Sequence, residues 1–270
     1  MNVRSVAMGA ALARAGFRRY STYRQATLAG LSTNIVFGML RMYVLVAAGA
    51  AAGGVMAGYT VPQLGTYIWV GQGLLATILM WGWTELSDRV RSGDVVADLL
   101  RPVNPVWTYL ATDLGRAGHA ALIRLLVPVL FGALFFPFYW PREPLSYPLF
   151  GVSLVLAVLL CFACRYLVNL TAFWLLDIRG VVSLWMAAAG VLSGLYFPLA
   201  FLPGWLAAIL QYGTPFPSLM QFPTDVAVER GGLAGQLERI GVQVAWTAVM
   251  YAVVFYVQRR AMRKLVIQGG

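Results

Sequence analysis

The chain has 270 residues, of which 60% are hydrophobic and 11% charged, with a formal net charge of +10. Soluble domains carry about 25% charged and roughly 45–50% apolar residues, and a chain of this length cannot enclose such an apolar surplus in one core. The proportions exclude an ordinary water-soluble fold and point to a bilayer as the solvent. The basic excess does not imply nucleic acid, because the arginines flank apolar runs, as they do on the cytoplasmic side of membrane helices.

Residues 1–27 mix Leu12, Phe17, Tyr20 and Tyr23 with Arg14, Arg18, Arg19 and Arg24, which predicts an amphipathic helix lying on the inner membrane surface. No compact apolar core precedes a small-residue cleavage site there, so no cleavable signal peptide is expected. A first span is expected over 28–52 and a second over 64–84. A cytoplasmic loop, 85–119, follows, then spans at 120–140, 149–176 and 181–202. Residues 203–241 carry Pro203, Pro215, Pro217 and Pro223 and read as an external helical or re-entrant hairpin. A last span at 242–257 leads to a cytoplasmic tail, 258–270. Most of these runs reach or approach the ~20 residues that cross ~30 Å of hydrocarbon. The expected fold is an all-α, polytopic membrane protein with six transmembrane helices.

With the N-terminus inside, fourteen Arg and Lys residues fall in cytoplasmic segments and three (Arg142, Arg230 and Arg239) in outer ones. That asymmetry places both termini in the cytoplasm, and the 19-to-1 excess of arginine over lysine points to a GC-rich bacterial genome, hence a bacterial cytoplasmic membrane. Arg41, inside the first span, is a candidate pathway or gate residue or an internal hydrogen-bond anchor, because intramembrane arginines face protein or water. Asn34 and Gln72 are milder candidates, and Arg165 is a further intramembrane charge. The aromatics Trp69, Trp185, Tyr196 and Phe197 belong either to interfacial belts or to a cavity that receives cargo. Gly49/Gly53 and Gly190/Gly194 have the GxxxG spacing that permits close helix packing, the latter pair as a candidate dimer contact.

Catalysis is poorly provided for. His119 is the sole histidine, and a metal site or a Ser/His pair would need companions beside it. Cys161 and Cys164 lie within an apolar run and read as packed thiols. No G-x-x-x-x-G-K-[ST] motif occurs to cradle nucleotide phosphates. The chain is expected to be no enzyme and to bind no cofactor or metal, with any ATP and Mg held by a partner ATPase.

The loop after the second span holds half of the acidic residues, and its Val95, Val96, Leu99 and Leu100 give a short helix an apolar stripe that needs a partner. Asp94 and Asp98 begin that helix after Gly93, and Pro102 ends it. The run R-S-G-D-V-V-A-D-L-L-R-P-V-N-P at 91–105 resembles a signature of ABC-2 type transporter permeases, in the viologen-exporter or ABC-2 family transporter branch. The stretch S-G-L-Y-F-P-L-A-F-L-P-G-W-L at 193–206, followed by P-F-P at 215–217, is similar to the end of the fifth span and external hairpin of such permeases. F-W-L-L-D-I-R-G at 173–180 resembles their turn between spans four and five.

The resemblance implies an exporter subunit that pairs with a second permease copy or a related chain and sits on two ATPase subunits. It implies an ATPase-coupling helix built from Gly93, Asp94, Asp98, Leu99, Arg101 and Pro102, with Glu85 and Arg89 leading in. It also makes the N-terminal helix a connecting helix near the ATPase, and the fifth span with its hairpin an outer gate. The cargo class it suggests is an amphiphilic small molecule, drug or lipid-like compound. A membrane scaffold or immunity protein and a lipid-modifying membrane enzyme are the competing readings.

Overall fold

In hydrocarbon every backbone N–H and C=O must find a partner inside the chain, and a helix provides that within a single segment. The computed structural model describes residues 3–51, 55–100, 103–175 and 177–264. Among them, four helices are long and apolar enough to cross a membrane: Arg24–Ala48, Pro105–Phe135, Ser146–Phe173 and Gly232–Met262. The fold is all-α apart from one small hairpin, and multi-pass.

Helix α1 (Val3–Thr22) precedes α2 (Arg24–Ala51). Strands β1 (Val55–Met56) and β2 (Tyr59–Thr60) then pair antiparallel around Ala57 and Gly58, both at positive φ, as a two-residue hairpin requires. Thr60 caps α3 (Val61–Leu74) in a reciprocal capping box with Gln63. Helix α3 runs into a π-helical turn, Leu75–Leu79, and the chain then leaves helical geometry until α4 (Glu85–Ser92) and the short α5 (Val95–Leu99). Next come α6 (Pro105–Ala120), a second π turn (Ala121–Leu125) and α7 (Leu126–Phe135) in one continuous rod. Helices α8 (Ser146–Leu170), α9 (Arg179–Leu192), α10 (Gly204–Gly213), α11 (Gln221–Ala227) and α12 (Gly232–Met262) complete the order.

Helix α8 packs along α12, and α3 fits between α2, α7 and α11. Buried Leu74, Ile78, Leu160, Cys161, Leu219 and Met220 form the main apolar core. Val36, Phe37, Leu40 and Val44 on α2, Leu130 and Leu134 on α7, and Val249 and Val253 on α12 point outward. Such continuous outward apolar faces suit lipid contact.

Several element boundaries differ from expectation. The third span, expected over 120–140, is the second half of a helix that begins at Pro105, where the Asn104 side chain accepts a hydrogen bond from Val106 N and caps it. Asp113, Arg116 and His119 therefore belong to a buried helix and not to the 85–119 loop. The fifth helix stops at Leu192, ten residues short of 202, because Gly194 takes a left-handed φ of +84° that turns the chain. The last helix starts at Gly232, inside the stretch expected as hairpin.

The N-terminal helix is also docked more firmly than a surface-lying helix requires. It runs along α6, where Gly16 faces the Thr112 carbonyl and Gly115 faces that of Ala13. A Cβ on Gly115 would stand 1.8 Å from Ala13 O, so only glycine permits this approach. Phe17 meets His119 edge-on at 5.3 Å, which gives the histidine a packing role. Gly115→Val is expected to cost about 1–3 kcal/mol through overpacking and to release α1 to limited proteolysis. Unchanged melting in detergent together with a protected α1 would contradict this account of the docking.

Candidate functional site

At one end of the bundle the chain is punctuated by charge and glycine. Helix α4 has Glu85 and Asp88 in its first turn and Arg89 and Arg91 in its last, the arrangement that complements a helix dipole. Gly93, at φ +83°, ends it in a left-handed cap and turns the chain into α5. The corner is locked from inside: Arg89 Nε lies 2.7 Å from Asp98 Oδ2, Tyr109 OH donates to Asp98 at 2.8 Å, and Arg89 donates to the Asp94 carbonyl at 3.2 Å.

Facing this corner is the turn that follows α8. Together they enclose a groove of about 1060 Å³ lined from one side by Ser87, Asp88, Arg91, Gly93, Val95 and Val96. Ala172, Phe173, Trp174, Asp177, Arg179 and Val182 line the other side. Two motifs some eighty residues apart in sequence therefore meet at one site. Asp177 and Arg179 pair at 2.5 Å on its rim, and hydrogen bonds from Arg179 hold the Asp177 carboxyl below its ordinary range.

The expected coupling residues divide by position. Asp94 is exposed and does not line the groove; Ser92 Oγ donates to its carboxylate at 2.7 Å, and Gly93 shapes the groove wall. Glu85 pairs with Arg19 of α1 at 3.6 Å. Asp98 is 8% exposed and holds α5 against Arg89 and Tyr109. Arg101 and Pro102 lie outside the described residues, as do the Leu99 side chain and Gly53.

The candidate pathway residues serve as contacts between elements. Asn34 Nδ2 donates to Gln72 O at 3.0 Å, tying α2 to α3. Trp69 is fully buried against Phe131 and Phe136, in the space left by Gly38 and Gly132. Arg41 donates to the carbonyls of Leu195 and Tyr196, an internal anchor for the unwound end of α9. Trp185 Nε1 donates to Met80 O at 2.7 Å. Tyr196 is exposed, Phe197 half-buried. Within the chain Gly190 faces the Tyr196 ring, and Gly194, beyond the end of the helix, abuts Gln221 and Tyr67.

Sequence reasoning named Arg165 as an intramembrane charge but not the buried cluster it joins. Asp113 (6% exposed) binds Arg116 at 2.7 Å and Arg165 at 2.8 Å, themselves 3% and 2% exposed. Arg116 continues to the carbonyls of Ala76 and Thr77 at 2.7 and 3.0 Å, in the π turn that ends α3. The i,i+3 spacing of Asp113 and Arg116 was the one local signal of this cluster; Arg165 joins it only through the fold.

The opposite end is closed by two carboxylates. Asp225, fully buried, accepts from Tyr59, Gln221 and Arg239 at 2.5, 2.9 and 3.1 Å. Glu229, at φ +54°, accepts from Tyr139 OH, Arg142 N, Glu143 N and Ser146 Oγ at 2.6–3.0 Å. Burial alone would raise the Glu229 pKa, but these four donors outweigh it and hold it at about 2.

Among the described residues no group of three or more His, Cys, Asp or Glu side chains is placed to hold a metal. The family model described as ABC-2 family transporter protein matches residues 34–269. No curated protein matches the sequence.

Asp113→Asn leaves two buried guanidiniums without a carboxylate and is expected to destabilise the protein by about 3–5 kcal/mol, read as a large fall in melting temperature in detergent. The Glu229 clasp contributes fully above the ordinary carboxylate pKa and is lost as pH falls towards about 2. The melting-temperature gap between wild type and Glu229→Gln should accordingly be widest near pH 7 and shrink on acidification to pH 3; a gap independent of pH would contradict the assignment.

Proposed function

Because the chain belongs to the ABC-2 family transporter proteins, we propose that it is the membrane subunit of an ATP-driven exporter whose ATPase is a separate polypeptide. The observation that carries this reading is the groove at the α4 end. Two segments that resemble family signatures, 91–105 and 173–180, converge on it. A polar, glycine-cornered recess at the end of a bundle of apolar helices is suited to receiving a soluble partner, with Asp88, Arg91, Asp94 and Arg179 presenting charge.

In this reading the chain crosses the bacterial cytoplasmic membrane six times, with both termini in the cytoplasm. The fourteen-to-three charge asymmetry supports that orientation. The α3 rod with its π turn forms the second crossing, α9 with the turn after it forms the fifth, and α10 and α11 belong to the external re-entrant hairpin before the last. Two such subunits, or this chain and a related one, sit on two ATPase subunits. Helices α4 and α5 are the coupling element, and α1, clamped to α6 and bridged to Glu85 by Arg19, transmits its movement to the crossing that contains α6. ATP hydrolysis on the partner then alternates the access of an amphiphilic cargo between the two faces.

The internal pairing of Asp98 with Arg89 supports a rigid coupling element, since a lever moved by a partner must not deform. The far-end lattice around Asp225 and Glu229 supports a closed outer face in this state. Opening it would require Arg230, Arg239 and Tyr59 to exchange partners.

Co-expression with its cognate ATPase subunit is expected to yield a complex with vanadate-sensitive turnover, whereas the purified chain alone is expected to show none. Asp94→Arg combined with Val96→Glu should lower co-purification of the ATPase at least tenfold without lowering the melting temperature of the isolated chain. Normal assembly and turnover in that double variant would rule out the α4–α5 corner as the docking element.

A further inference from the structure

The buried cluster of Asp113, Arg116 and Arg165 is not neutral. One carboxylate faces two guanidiniums, and Arg124, two turns beyond Arg116 on the same rod, adds a further half-buried cation. Among the described residues the other buried acids are engaged elsewhere, Asp98 by Arg89 and Asp225 by Arg239. Arg165 uses one nitrogen, Nη2, on Asp113; its Nε and Nη1 are buried with no oxygen or nitrogen acceptor, and only the weakly accepting sulfur of Cys161 lies beside the guanidinium. Removing such a charge from water without a counter-charge is strongly unfavourable, and leaving its donors unmade adds to that.

Beside this guanidinium lies a small cavity of about 10 Å³, the space of roughly one water molecule or one ligand oxygen. Its walls are Met80, Trp83, Arg165, Asn169, Val182 and Trp185, among others. The guanidinium stands 5.6 Å from the centre of the Trp83 ring. The backbone around it is unwound: Leu79 and Gly82 take φ of +53° and +82°. The freed carbonyls of Met80 and Trp83 accept from Trp185 and Asn169.

The cavity is not sealed in the core. Met186 also lines it and is 39% exposed on α9, beside Leu184, which points fully outward. Val182 belongs both to this cavity and to the large groove at the bundle end. Arg165 lies eight residues before Phe173 at the end of its helix, so about 12 Å inside that end.

From this arrangement we propose that the slot between α8, α9 and the unwound segment 79–84 binds an anionic amphiphile. One oxygen of a carboxylate or phosphate head group enters the cavity and accepts from the Arg165 guanidinium, a far stronger acceptor than the Cys161 sulfur, the head group lies between Trp83 and Trp185, and the alkyl tail follows the outward apolar face of α9. The uncompensated positive charge disfavours a cationic head group at this position, whatever aromatic surface surrounds it. The proposal rests on the transport reading only for regarding the ligand as cargo. A bilayer lipid and a diffusible amphiphile share the required chemistry.

The test uses the full-length chain in a maltoside detergent, titrated with dodecyl phosphate and with dodecyltrimethylammonium below their micellar concentrations. Saturable binding of the phosphate, at least tenfold tighter than of the ammonium, is expected. Arg165→Gln should weaken it at least tenfold, and this variant keeps the Asp113–Arg116 pair, so the core stays balanced. Val182→Phe fills the slot without altering any charge and should have the same effect; Arg165→Lys should retain part of the affinity. Native mass spectra of chain purified from bilayers containing phosphatidylglycerol separate the sources. Retained lipid that is lost in Arg165→Gln identifies the bilayer, and occupancy only after dodecyl phosphate is added identifies a diffusible solute; either supports the site. Equal affinity for the two amphiphiles, wild-type binding in both Arg165→Gln and Val182→Phe, or saturable binding of chloride with none of dodecyl phosphate would overturn it. None of these readouts needs the ATPase, so failure here is distinguishable from failure of the transport reading, which is judged by ATPase assembly.

Discussion

Arg116 holds the middle of this protein together by doing two things that hydrocarbon ordinarily forbids. It is a charged side chain inside a helical rod, and it accepts that position because Asp113 pairs with it one turn away on the same helix. Its remaining donors close the carbonyls of Ala76 and Thr77, which the π turn after α3 has taken out of regular hydrogen bonding. Backbone that leaves helical geometry at membrane depth survives only where protein groups satisfy it. Arg116, Trp185 and Asn169 supply those groups to carbonyls between Ala76 and Trp83. The break after α3, the slot beside Arg165 and the placement of α4 all depend on this substitution of side chains for helix.

The two ends of the bundle are built on opposite principles. At the α4 end a groove of about 1060 Å³ stays open, with exposed Arg91, Asp177 and Arg179 around it. Its rigidity comes from one internal pair, Asp98 with Arg89, placed behind the surface. At the hairpin end there is little open space: Asp225 and Glu229 gather donors from β2, the 137–145 segment, α8 and α12. In the proposed transport reading, the open end would receive the ATPase and the end held by Asp225 and Glu229 would be the outer closure.

Much of the fold could be read from local signals. Runs of apolar residues of sufficient length announced α2, α8 and α12, and Gly93 with the acidic residues around it announced the corner between α4 and α5. The misplacements have a common physical cause. The third span was expected from 120 because Asp113, Arg116 and His119 look like loop residues, yet each is made tolerable by a neighbour: Asp113 and Arg116 by one another and by Arg165, His119 by Phe17. The fifth helix was expected to be too long because Leu195, Phe197 and Leu199 continue the apolar run, while Gly194 and its carbonyl's bond with Tyr67 end it. Gly190 and Gly194 had the spacing of a helix contact, but spacing along a chain does not say whether the helix is still present at the second glycine.

By itself the sequence determined that this is a multi-pass helical membrane protein, and that nucleotide chemistry has no phosphate loop here to act on. Both follow from composition and motif, which do not depend on how segments meet. Tertiary structure alone decided that Arg91, Gly93 and Val96 face Trp174, Asp177 and Arg179 across one groove, that Asp98 supports the α4–α5 corner from within, and that the Arg165 guanidinium is buried beside a slot. Those are properties of distance between residues tens of positions apart. Hydrophobic periodicity carries no information about them, because burying a helix face fixes neither its partner nor the buried charges that will meet there.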